Sequence, residues 1–431
     1  MNIASLILKL FNNIYFISFL AAMTCAFYYY LKSDLKYQKK VVWIVYSFLF
    51  LGVLAIFLKG EIYRINQPRV WDFTAFFVYG KVAASGYNFY LPENFHTVFN
   101  TLNLPFQNSE LTDFIESLVD VGFPYPPPTM LYFILLGYLS YSNALLIWSV
   151  LIVLFLFCAI YLGYKHFFIE NKINGLLLVS ILFLIYPMVK FNNICSQTNG
   201  LVLLYLFLMK RYSESKFAGI LLALAFFTKP FMLIFGLYFL LSKKWEPIVY
   251  FIASALLLSG ISILTFGGDT FMSYFFNNAA QRIPAWQFSE DVNQSLHAVL
   301  LRTNLISLDK PHYYLIISAV LIVITILLSR FLIKKKLDDY VWALLLLVGL
   351  LVYPGTLSYY GVILLFIVFQ FFNKEETLGL DYRICIPLIG VLFYLGSVSV
   401  FASICFLLVV VLIKSFFNIK ILNSNELIFQ N

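Results

Sequence analysis

Long stretches without a charged side chain are the feature of this sequence that most constrains its fold. A helix that crosses the hydrocarbon core of a bilayer needs about 20 mostly apolar residues. Only 12% of the 431 residues are charged, which is about half the share found in soluble domains. The chain is therefore predicted to be an all-α polytopic membrane protein with about 11–13 transmembrane helices. Uncharged stretches lie at 10–31, 41–58, 121–164, 173–189, 191–209, 217–228, 230–242, 247–268, 313–329, 340–373 and 384–413.

Two long polar regions, 59–127 and 267–312, interrupt this pattern. They are too long to be ordinary turns, and loops of that length usually carry function. Lys-rich segments lie at 32–40, 243–244 and 330–336. Because such segments favour the cytoplasmic side, both long regions are predicted to be external loops, and we expect them to carry short interfacial helices.

Two points of topology stay open in the sequence. The segment 210–216 is basic, and it fits the cytoplasmic side only if the stretch 121–164 crosses the membrane once. The stretches 217–228 and 230–242 flank Lys229 and Pro230. They are either two half-length helices or one bent helix.

Metal and cofactor sites are not indicated by the sequence. The five cysteines, at 25, 158, 195, 385 and 405, form no CxxC motif, so neither a disulfide framework nor a zinc site is predicted. The four histidines are scattered, and no Gly-rich phosphate loop is present. We therefore expect no metal and no cofactor.

The first external loop contains a carboxylate in a distinctive place. Asp72 follows a predicted span by about a dozen residues and precedes apolar residues spaced as on a short amphipathic helix. A carboxylate held at the membrane surface can accept a proton from a hydroxyl that arrives from water. The alternative is that Asp72 caps the helix that follows it.

A series of short motifs then resembles a known family in order along the chain. The chain resembles, from about residue 41 to 370, the polyprenol-phosphate-sugar-dependent membrane glycosyltransferases of family 87, which have the GT-C fold. The motifs are Asp72-Phe73, the segment 86–90, Tyr125-Pro126-Pro127 with the run ending at Trp148, Ser196-Gln197-Thr198-Asn199, the segment 219–230 ending in Lys229-Pro230, and Asn293-Gln294-Ser295-Leu296 with Arg302.

The resemblance implies an external active site, an acidic catalytic residue in the first external loop and inversion at the sugar carbon. Asp72 is the position that matches the acid. The domains are then an extra transmembrane helix and cytoplasmic turn at 1–40, a catalytic core at 41–373, and a C-terminal transmembrane segment and tail at 374–431. The core includes the external loops 59–127 and 267–312.

Cationic side chains are the candidates for holding the phosphate of such a donor, because a leaving phosphate develops negative charge. Lys229 lies between two apolar stretches, where a lysine is expensive and is usually functional or paired. The alternative for Lys229 is snorkelling to the interface. Arg302 and Arg282 are also candidates, although both lie in a polar loop where a solvated charge is common.

Amides and tyrosines are the candidates for holding the sugar or the acceptor. Amides both donate and accept hydrogen bonds, but helix capping and interhelical bonds are the alternative role. The tyrosines could equally belong to the aromatic belt of the membrane interface. Tyr359 occupies the place where the family often has a histidine. The candidates are Gln197, Asn199, Asn293, Gln294, Tyr79, Tyr90, Tyr125 and Tyr359.

The resemblance thus implies transfer of mannose or another hexose or pentose from a polyprenyl-phosphate donor to a glycolipid or glycan. The expected partners are the bilayer, the lipid-linked sugar and the acceptor, without nucleic acid, and the expected location is a bacterial inner membrane. A transporter or flippase of lipid-linked sugars or cell-envelope polysaccharide intermediates is the main alternative, although no internal repeat of the transporter type is visible. The hypotheses of a GT-C-like ligase or phosphoglycosyl transferase, and of a non-catalytic scaffold, also stay open.

Overall fold

The computed structural model describes residues 36–65, 71–102, 123–167, 173–276, 285–307, 311–372, 380 and 382–428. The apolar stretch at 10–31, predicted as the first span, lies outside the described residues, and so does Arg282. Nineteen α-helices are numbered here in chain order over the described residues. They are α1 (Lys36–Ile65), α2 (Trp71–Ala84), α3 (Pro92–Thr101), α4 (Ile134–Gly137), α5 (Tyr141–Phe167), α6 (Ile173–Ile185), α7 (Pro187–Ile194), α8 (Asn199–Arg211), α9 (Lys216–Thr228), α10 (Gly236–Leu241), α11 (Trp245–Phe266), α12 (Gly268–Phe276), α13 (Ala285–Ser289), α14 (Leu296–Arg302), α15 (Pro311–Lys334), α16 (Asp338–Val352), α17 (Leu365–Phe372), α18 (Tyr382–Val398) and α19 (Val400–Ile428).

The predicted all-α polytopic membrane class is confirmed. Five of these helices, α1, α5, α11, α15 and α19, contain segments long and apolar enough to cross a membrane. Shorter apolar helical segments lie between them, and within the described residues the β-type pairing is a single bridge between Asn293 and Leu357. This is the expected outcome in lipid, because a helix satisfies its backbone hydrogen bonds within itself. The count of 11–13 spans stays a prediction.

The basic turns meet at one end of the bundle. Lys210, in the last turn of α8, forms an ion pair with Asp339 in the first turn of α16. Lys244, just before α11, forms an ion pair with Glu214 in the turn between α8 and α9. Among its described residues, the stretch 121–164 contains one helix long and apolar enough to cross a membrane, α5. The basic segment 210–216 therefore lies at the same end as Lys243 and Lys244.

The two apolar stretches around Lys229 are two separate helices. Helix α9 ends at Thr228, Lys229 is extended with φ −147° and ψ 108°, and Pro230 begins a 3-10 turn that leads into α10. A proline disfavours helical backbone in the residue before it, which accounts for the break at Lys229. Helix α9 begins and α10 ends next to the basic turns, and α9 is about 20 Å long, so the break lies away from those turns, toward the opposite end of the bundle.

Helix α2 carries Asp72 in its first turn and is held by close backbone contact with α4. A Cβ atom added to Gly80 would lie 2.4 Å from the carbonyl oxygen of Phe133, and one added to Gly137 would lie 2.2 Å from that of Gly80. Two glycines therefore allow the backbones to touch. Residues 73–80 are all buried, so α2 is enclosed on more sides than the predicted one-sided amphipathic pattern indicates.

The enclosure of α2 has an aromatic cause. Phe73 packs against Tyr141 at the start of α5, with ring centroids 5.4 Å apart. Phe76 stacks on Phe133 at 4.4 Å. On another side, Tyr79 packs against Phe95 in α3 and against Phe123, which precedes the 3-10 turn Pro127–Tyr132. The described part of the first polar region is therefore a packed aromatic cap that fixes the position of Asp72.

Candidate functional site

Asp72 meets two side chains that come from distant parts of the sequence. Its Oδ2 accepts a hydrogen bond from Nε2 of Gln197 at 2.6 Å. The Oε1 of the same amide accepts a hydrogen bond from Nζ of Lys229 at 3.1 Å. Gln197 thus bridges a carboxylate and an ammonium group, using the donor at one side of its amide and the acceptor at the other. The bond of Asp72 to Gln197 crosses the fold, which a helix cap does not do.

The loop that presents Gln197 has a strained backbone. It connects α7 to α8, and Ser196 has φ +56°, a left-handed conformation that is unusual for a residue other than glycine. The indole N–H of Trp148 donates to the carbonyl oxygen of Ser196 at 2.9 Å. The backbone N–H of Gln197 donates to the carbonyl oxygen of Asn192 at 3.0 Å. These bonds stabilise one loop conformation, as strained backbone requires.

Lys229 is fully buried and lies among three tyrosines. Its Nζ donates to the hydroxyl of Tyr125 at 3.1 Å. The ammonium also lies 5.1, 5.8 and 4.4 Å from the ring centroids of Tyr125, Tyr359 and Tyr360. Aromatic faces attract a cation at such distances. A buried ammonium with these partners is paired and does not snorkel to the interface.

The surroundings of Asp72 raise the pKa of its carboxyl group. Burial raises its pKa from the ordinary value of 3.8 to about 6, while the hydrogen bond from Gln197 and the charge of Lys229 act in the opposite direction. Desolvation disfavours the charged form, and a nearby opposite charge favours it. A carboxylate in this range is ionised at neutral pH and binds a proton more readily than an ordinary aspartate, which suits a general base.

Buried asparagines form a network behind the Gln197 loop. Asn199, at the start of α8, donates to Oδ1 of Asn192 at 3.0 Å and to the carbonyl oxygen of Tyr359 at 3.3 Å. Its Oδ1 is buried without a hydrogen-bond partner among the described residues. The structure therefore places Asn199 behind the Asp72 site, and its predicted contact with a sugar stays a prediction.

Two of the predicted tyrosines lie in the aromatic cap. Tyr79 is buried against Phe95 and Phe123. Tyr90 is also buried, and its hydroxyl donates to the carbonyl oxygen of Tyr125 at 2.7 Å. Tyr90 thus fixes the backbone of the residue that contacts Lys229. Tyr125 itself is partly exposed, so it is the tyrosine of this group with surface available to a ligand.

The second polar region uses its predicted site residues differently. Asn293 donates to the carbonyl oxygen of Pro354 at 3.0 Å. The Oε1 of Gln294 accepts from the hydroxyl of Ser399 at 2.7 Å and from the backbone N–H of Phe401 at 3.0 Å. These bonds fasten the loop to the segment before Tyr359 and to the start of α19.

Arg302 likewise contacts its own loop. It donates to the carbonyl oxygens of Phe288 at 3.2 Å and Glu290 at 2.8 Å, and its Nε lies 3.7 Å from Oδ1 of Asp291. The described contacts of Arg302 thus hold the segment between α13 and α14. They do not connect it to Asp72 or Lys229, and its phosphate-binding role stays a prediction.

An apolar groove begins beside Lys229. It has a volume of about 350 Å³ and lies between the 3-10 turn Pro127–Tyr132, the end of α9, and helices α11 and α12. Phe227 and Pro230, on either side of Lys229, line it, and so does Pro126 next to Tyr125. Leu256 on its α11 wall is 68% exposed. The groove is therefore open on the surface where α11 faces lipid.

Sequence reasoning missed four residues of this site. Glu61, Asn192, Asn193 and Tyr360 are buried within it or directly behind it. A signal existed for three of them, because an acid just after an apolar stretch and two adjacent asparagines near the start of another are expensive in a membrane. Within the described residues there is no cluster of three or more His, Cys, Asp or Glu that could hold a metal ion.

Comparison with known proteins gives one match. A sequence model of glycosyltransferase family 87 matches residues 123–357, which is more than half of the 431-residue chain. The matched segment contains Tyr125, Gln197 and Lys229, whereas Asp72 lies before it and Tyr359 just after it. No curated protein and no solved structure matches the chain.

Proposed function

The chain belongs to glycosyltransferase family 87, and on that premise we propose that it transfers a sugar from a polyprenyl-phosphate donor to a hydroxyl of a glycolipid or glycan. The observation that carries this proposal is the bridged chain of Asp72, Gln197 and Lys229. It joins a carboxylate that can take a proton to a cation that can stabilise a leaving phosphate.

The groove beside Lys229 supports a lipid-linked donor. A polyprenyl phosphate has a long apolar tail and an anionic head, so it needs an apolar channel open to lipid that ends near positive charge. The groove is lined by residues on both sides of Lys229 and is open beside Leu256. In the proposed complex the tail lies along α11 and α12, and the phosphate lies next to Tyr125.

The proposed reaction is a single displacement. Asp72 accepts the proton of the acceptor hydroxyl, and the acceptor oxygen forms a bond to the anomeric carbon. The bond from that carbon to the phosphate oxygen breaks, and the polyprenyl phosphate leaves with the electron pair from the opposite face, so the configuration inverts. The proposal assigns no metal or cofactor to this step.

Lys229 acts in this proposal through its charge and through Tyr125. Its ammonium is fully buried and donates to the Tyr125 hydroxyl, which leaves the phenolic proton free to be donated to the phosphate. A hydroxyl that accepts a bond from a cation becomes a stronger donor, because hydrogen bonds in a chain polarise one another. Tyr359 lies beside the same ammonium, where the family often has a histidine.

The sidedness of the site follows in the proposal from the basic turns. They meet at one end of the bundle, and Lys and Arg favour the cytoplasmic side. Asp72, Gln197 and Lys229 meet at the other end, which we therefore assign to the external face, for a bacterial protein the periplasmic face of the inner membrane. A donor already carried across the membrane on a lipid suits a site there, and mannose is one candidate among hexoses and pentoses.

The test is glycosyl transfer by the purified protein with a panel of polyprenyl-phosphate sugars beside the corresponding nucleotide sugars. We expect one lipid-linked donor to be used, with no transfer from nucleotide sugars. In the Ala255→Trp variant, a large side chain fills the groove, so KM for a long-chain donor should rise about tenfold or more, as expected for losing apolar contacts.

The matched control is Leu264→Trp on the same helix, at a position that is 88% exposed and does not line the groove; its KM should not change. Transfer from nucleotide sugars, or equal KM values in both variants, would contradict the lipid-donor proposal. If no donor reacts and the protein moves lipid-linked sugar across liposome membranes, the chain is a transporter.

A further inference from the structure

Glu61 is a buried acidic residue that the proposed reaction does not use. It lies near the end of α1 that faces the Asp72 site, and its side chain is 9% exposed. Its Oε1 accepts a hydrogen bond from Nδ2 of Asn193 at 3.0 Å. Burying a carboxylate at the end of an apolar helix costs free energy, so a buried Glu61 beside Asn193 indicates a role for this contact.

Asn193 is connected to the Gln197 loop through its neighbour. Its Oδ1 accepts from Nδ2 of Asn192 at 3.2 Å. The same Nδ2 group lies 3.3 Å from the carbonyl oxygen of Gln197, and the Oδ1 of Asn192 accepts from Asn199 at 3.0 Å. Asn192 is 0% exposed and Asn193 is 1% exposed. A continuous series of buried hydrogen bonds therefore runs from Glu61 to the backbone of Gln197.

The series of hydrogen bonds ends at Gln197, whose position matters for the proposed chemistry. Gln197 sets the relative position of Asp72 and Lys229, because its amide bonds to both. The preceding residue, Ser196, is in a left-handed conformation that other contacts must maintain. Asn199 extends the series to the carbonyl oxygen of Tyr359, a second neighbour of Lys229.

We propose that Glu61 is a positioning residue, which orients the Gln197 amide through Asn193 and Asn192 and so sets the distance between the proposed base and the proposed phosphate-binding cation. This inference rests on the proposed function for its catalytic meaning, but its structural content does not. A side-chain amide can rotate by half a turn, which exchanges the positions of its NH2 donor and its carbonyl acceptor. The Glu61 carboxylate fixes the orientation of Asn193 because it accepts only from the NH2 group, and Asn193 in turn orients Asn192.

The experiment compares Glu61→Leu with Glu61→Gln. Leucine has a similar volume and removes the acceptor, whereas glutamine keeps a carbonyl oxygen for Asn193. We expect Glu61→Leu to lower kcat about tenfold or more, because small displacements of catalytic groups have large effects on rate. KM should change little, since the residue does not touch substrate. Glu61→Gln should restore most of kcat, and Glu93→Leu, at an exposed acid in α3, is the matched control.

Two further readouts separate positioning from a general loss of stability. In the Gln197→Ala background the amide is absent, so adding Glu61→Leu should cause no further loss of kcat. Hydrogen–deuterium exchange of the peptide 192–199 should be several-fold faster in Glu61→Leu than in wild type, because the Gln197 N–H loses support. It should be unchanged in Glu93→Leu.

The outcomes are distinguishable from those of the proposed function. If the wild type transfers sugar but Glu61→Leu keeps its kcat, or if the losses from Glu61→Leu and Gln197→Ala multiply, the positioning role is wrong. Unchanged exchange in the 192–199 peptide also overturns it, whether or not the protein transfers sugar. Faster exchange in a protein that transfers no sugar would keep the structural link and reject the proposed function.

Discussion

The Asp72 site and the second polar region, residues 267–312, contain similar polar residues and use them in different ways. At the Asp72 site, the carboxylate of Asp72 and the ammonium of Lys229, which come from separate parts of the chain, share the amide of Gln197, so side chains bond to charged side chains. In the second, Asn293 and Arg302 bond to backbone carbonyl groups. Hydrogen bonds to backbone carbonyl groups stabilise the conformation of a loop. Burying charged groups in a membrane protein costs energy, so charged groups that are buried together usually have a functional role. The comparison supports the proposed chemistry at the Asp72 site and a structural role for the second polar region.

The largest expected effect tests this difference with one acid from each region. Asp72→Asn keeps the shape of the side chain and removes the base, so kcat should fall by about two orders of magnitude or more. Asp291→Asn changes an acid in the second loop whose side chain is fully exposed, and its kcat should stay close to wild type. The measurement is transfer from the lipid-linked donor with both proteins at matched purity. Similar losses in both variants would break the comparison.

The next effect compares the cation of the Asp72 site with one from the second polar region. Lys229→Met removes the charge beside Tyr125, and kcat should fall about 100-fold, as for loss of one electrostatic contact to a transition state. Arg302→Met removes a donor from the carbonyl oxygens of Phe288 and Glu290, the second of which keeps the N–H of Asn293, so it should lower the free energy of unfolding by about 1–2 kcal/mol with a small change in kcat.

Lys229→Arg keeps the charge and serves as the control for folding at this buried position. Transfer rates and apparent unfolding temperatures in detergent separate the two roles. A large loss of kcat in Arg302→Met with unchanged stability would place the phosphate contact in the second loop instead.

Lys229 was selected from the sequence because a charge between apolar stretches is costly in a membrane, and that cost is visible in a single residue. Asp72 was selected by its place after a predicted span and by the family resemblance. The bridge between them was not predictable, because Gln197 is 125 residues from Asp72 and 32 from Lys229 and only folding brings the three together. Gln197 and Gln294 have the same chemistry in the sequence, and only their partners in the structure distinguish them.

For the fold, too, the sequence predicted the class but not the contacts between distant segments. Apolar stretch lengths predicted the helical membrane class. Lys229-Pro230 indicated either a break or a bend, and the structure shows a break. The enclosure of α2 was missed, because a periodic pattern shows which residues are apolar and not how many neighbours surround them. The contact at Gly80 and Gly137 depends on two segments about 57 positions apart, and one sequence does not show that they meet.

A smaller effect concerns pH and sharpens the role of Gln197. The base must be ionised to accept a proton, so kcat/KM should fall as the pH drops below about 6, the pKa of Asp72 in the folded protein. Gln197→Ala removes a hydrogen bond that stabilises the charged form, so the acidic limb should move to higher pH by about half a unit to one unit.

Gln294→Ala is the matched change in the second region, and its acidic limb should not move, because Gln294 bonds to Ser399 and Phe401. The measurement is the pH profile of kcat/KM for wild type and both variants. A limb that moves equally in the two variants, or moves to lower pH in Gln197→Ala, would show that Asp72 is not the group that titrates.

The smallest expected effect lies wholly in the second region and concerns stability. Asn293 donates to the carbonyl oxygen of Pro354, and its own Oδ1 accepts from the backbone N–H of Ser295. Asn293→Ala leaves these buried groups unpaired, which should lower the free energy of unfolding by about 1–2 kcal/mol, measured as a lower apparent unfolding temperature in detergent. Thr303→Ala is the control, because its exposed hydroxyl bonds only within its own helix and its loss should matter by less than about 0.5 kcal/mol. If Asn293 instead holds a sugar, Asn293→Ala will raise KM for donor or acceptor with little change in unfolding temperature, and the second loop will join the first as part of the binding site.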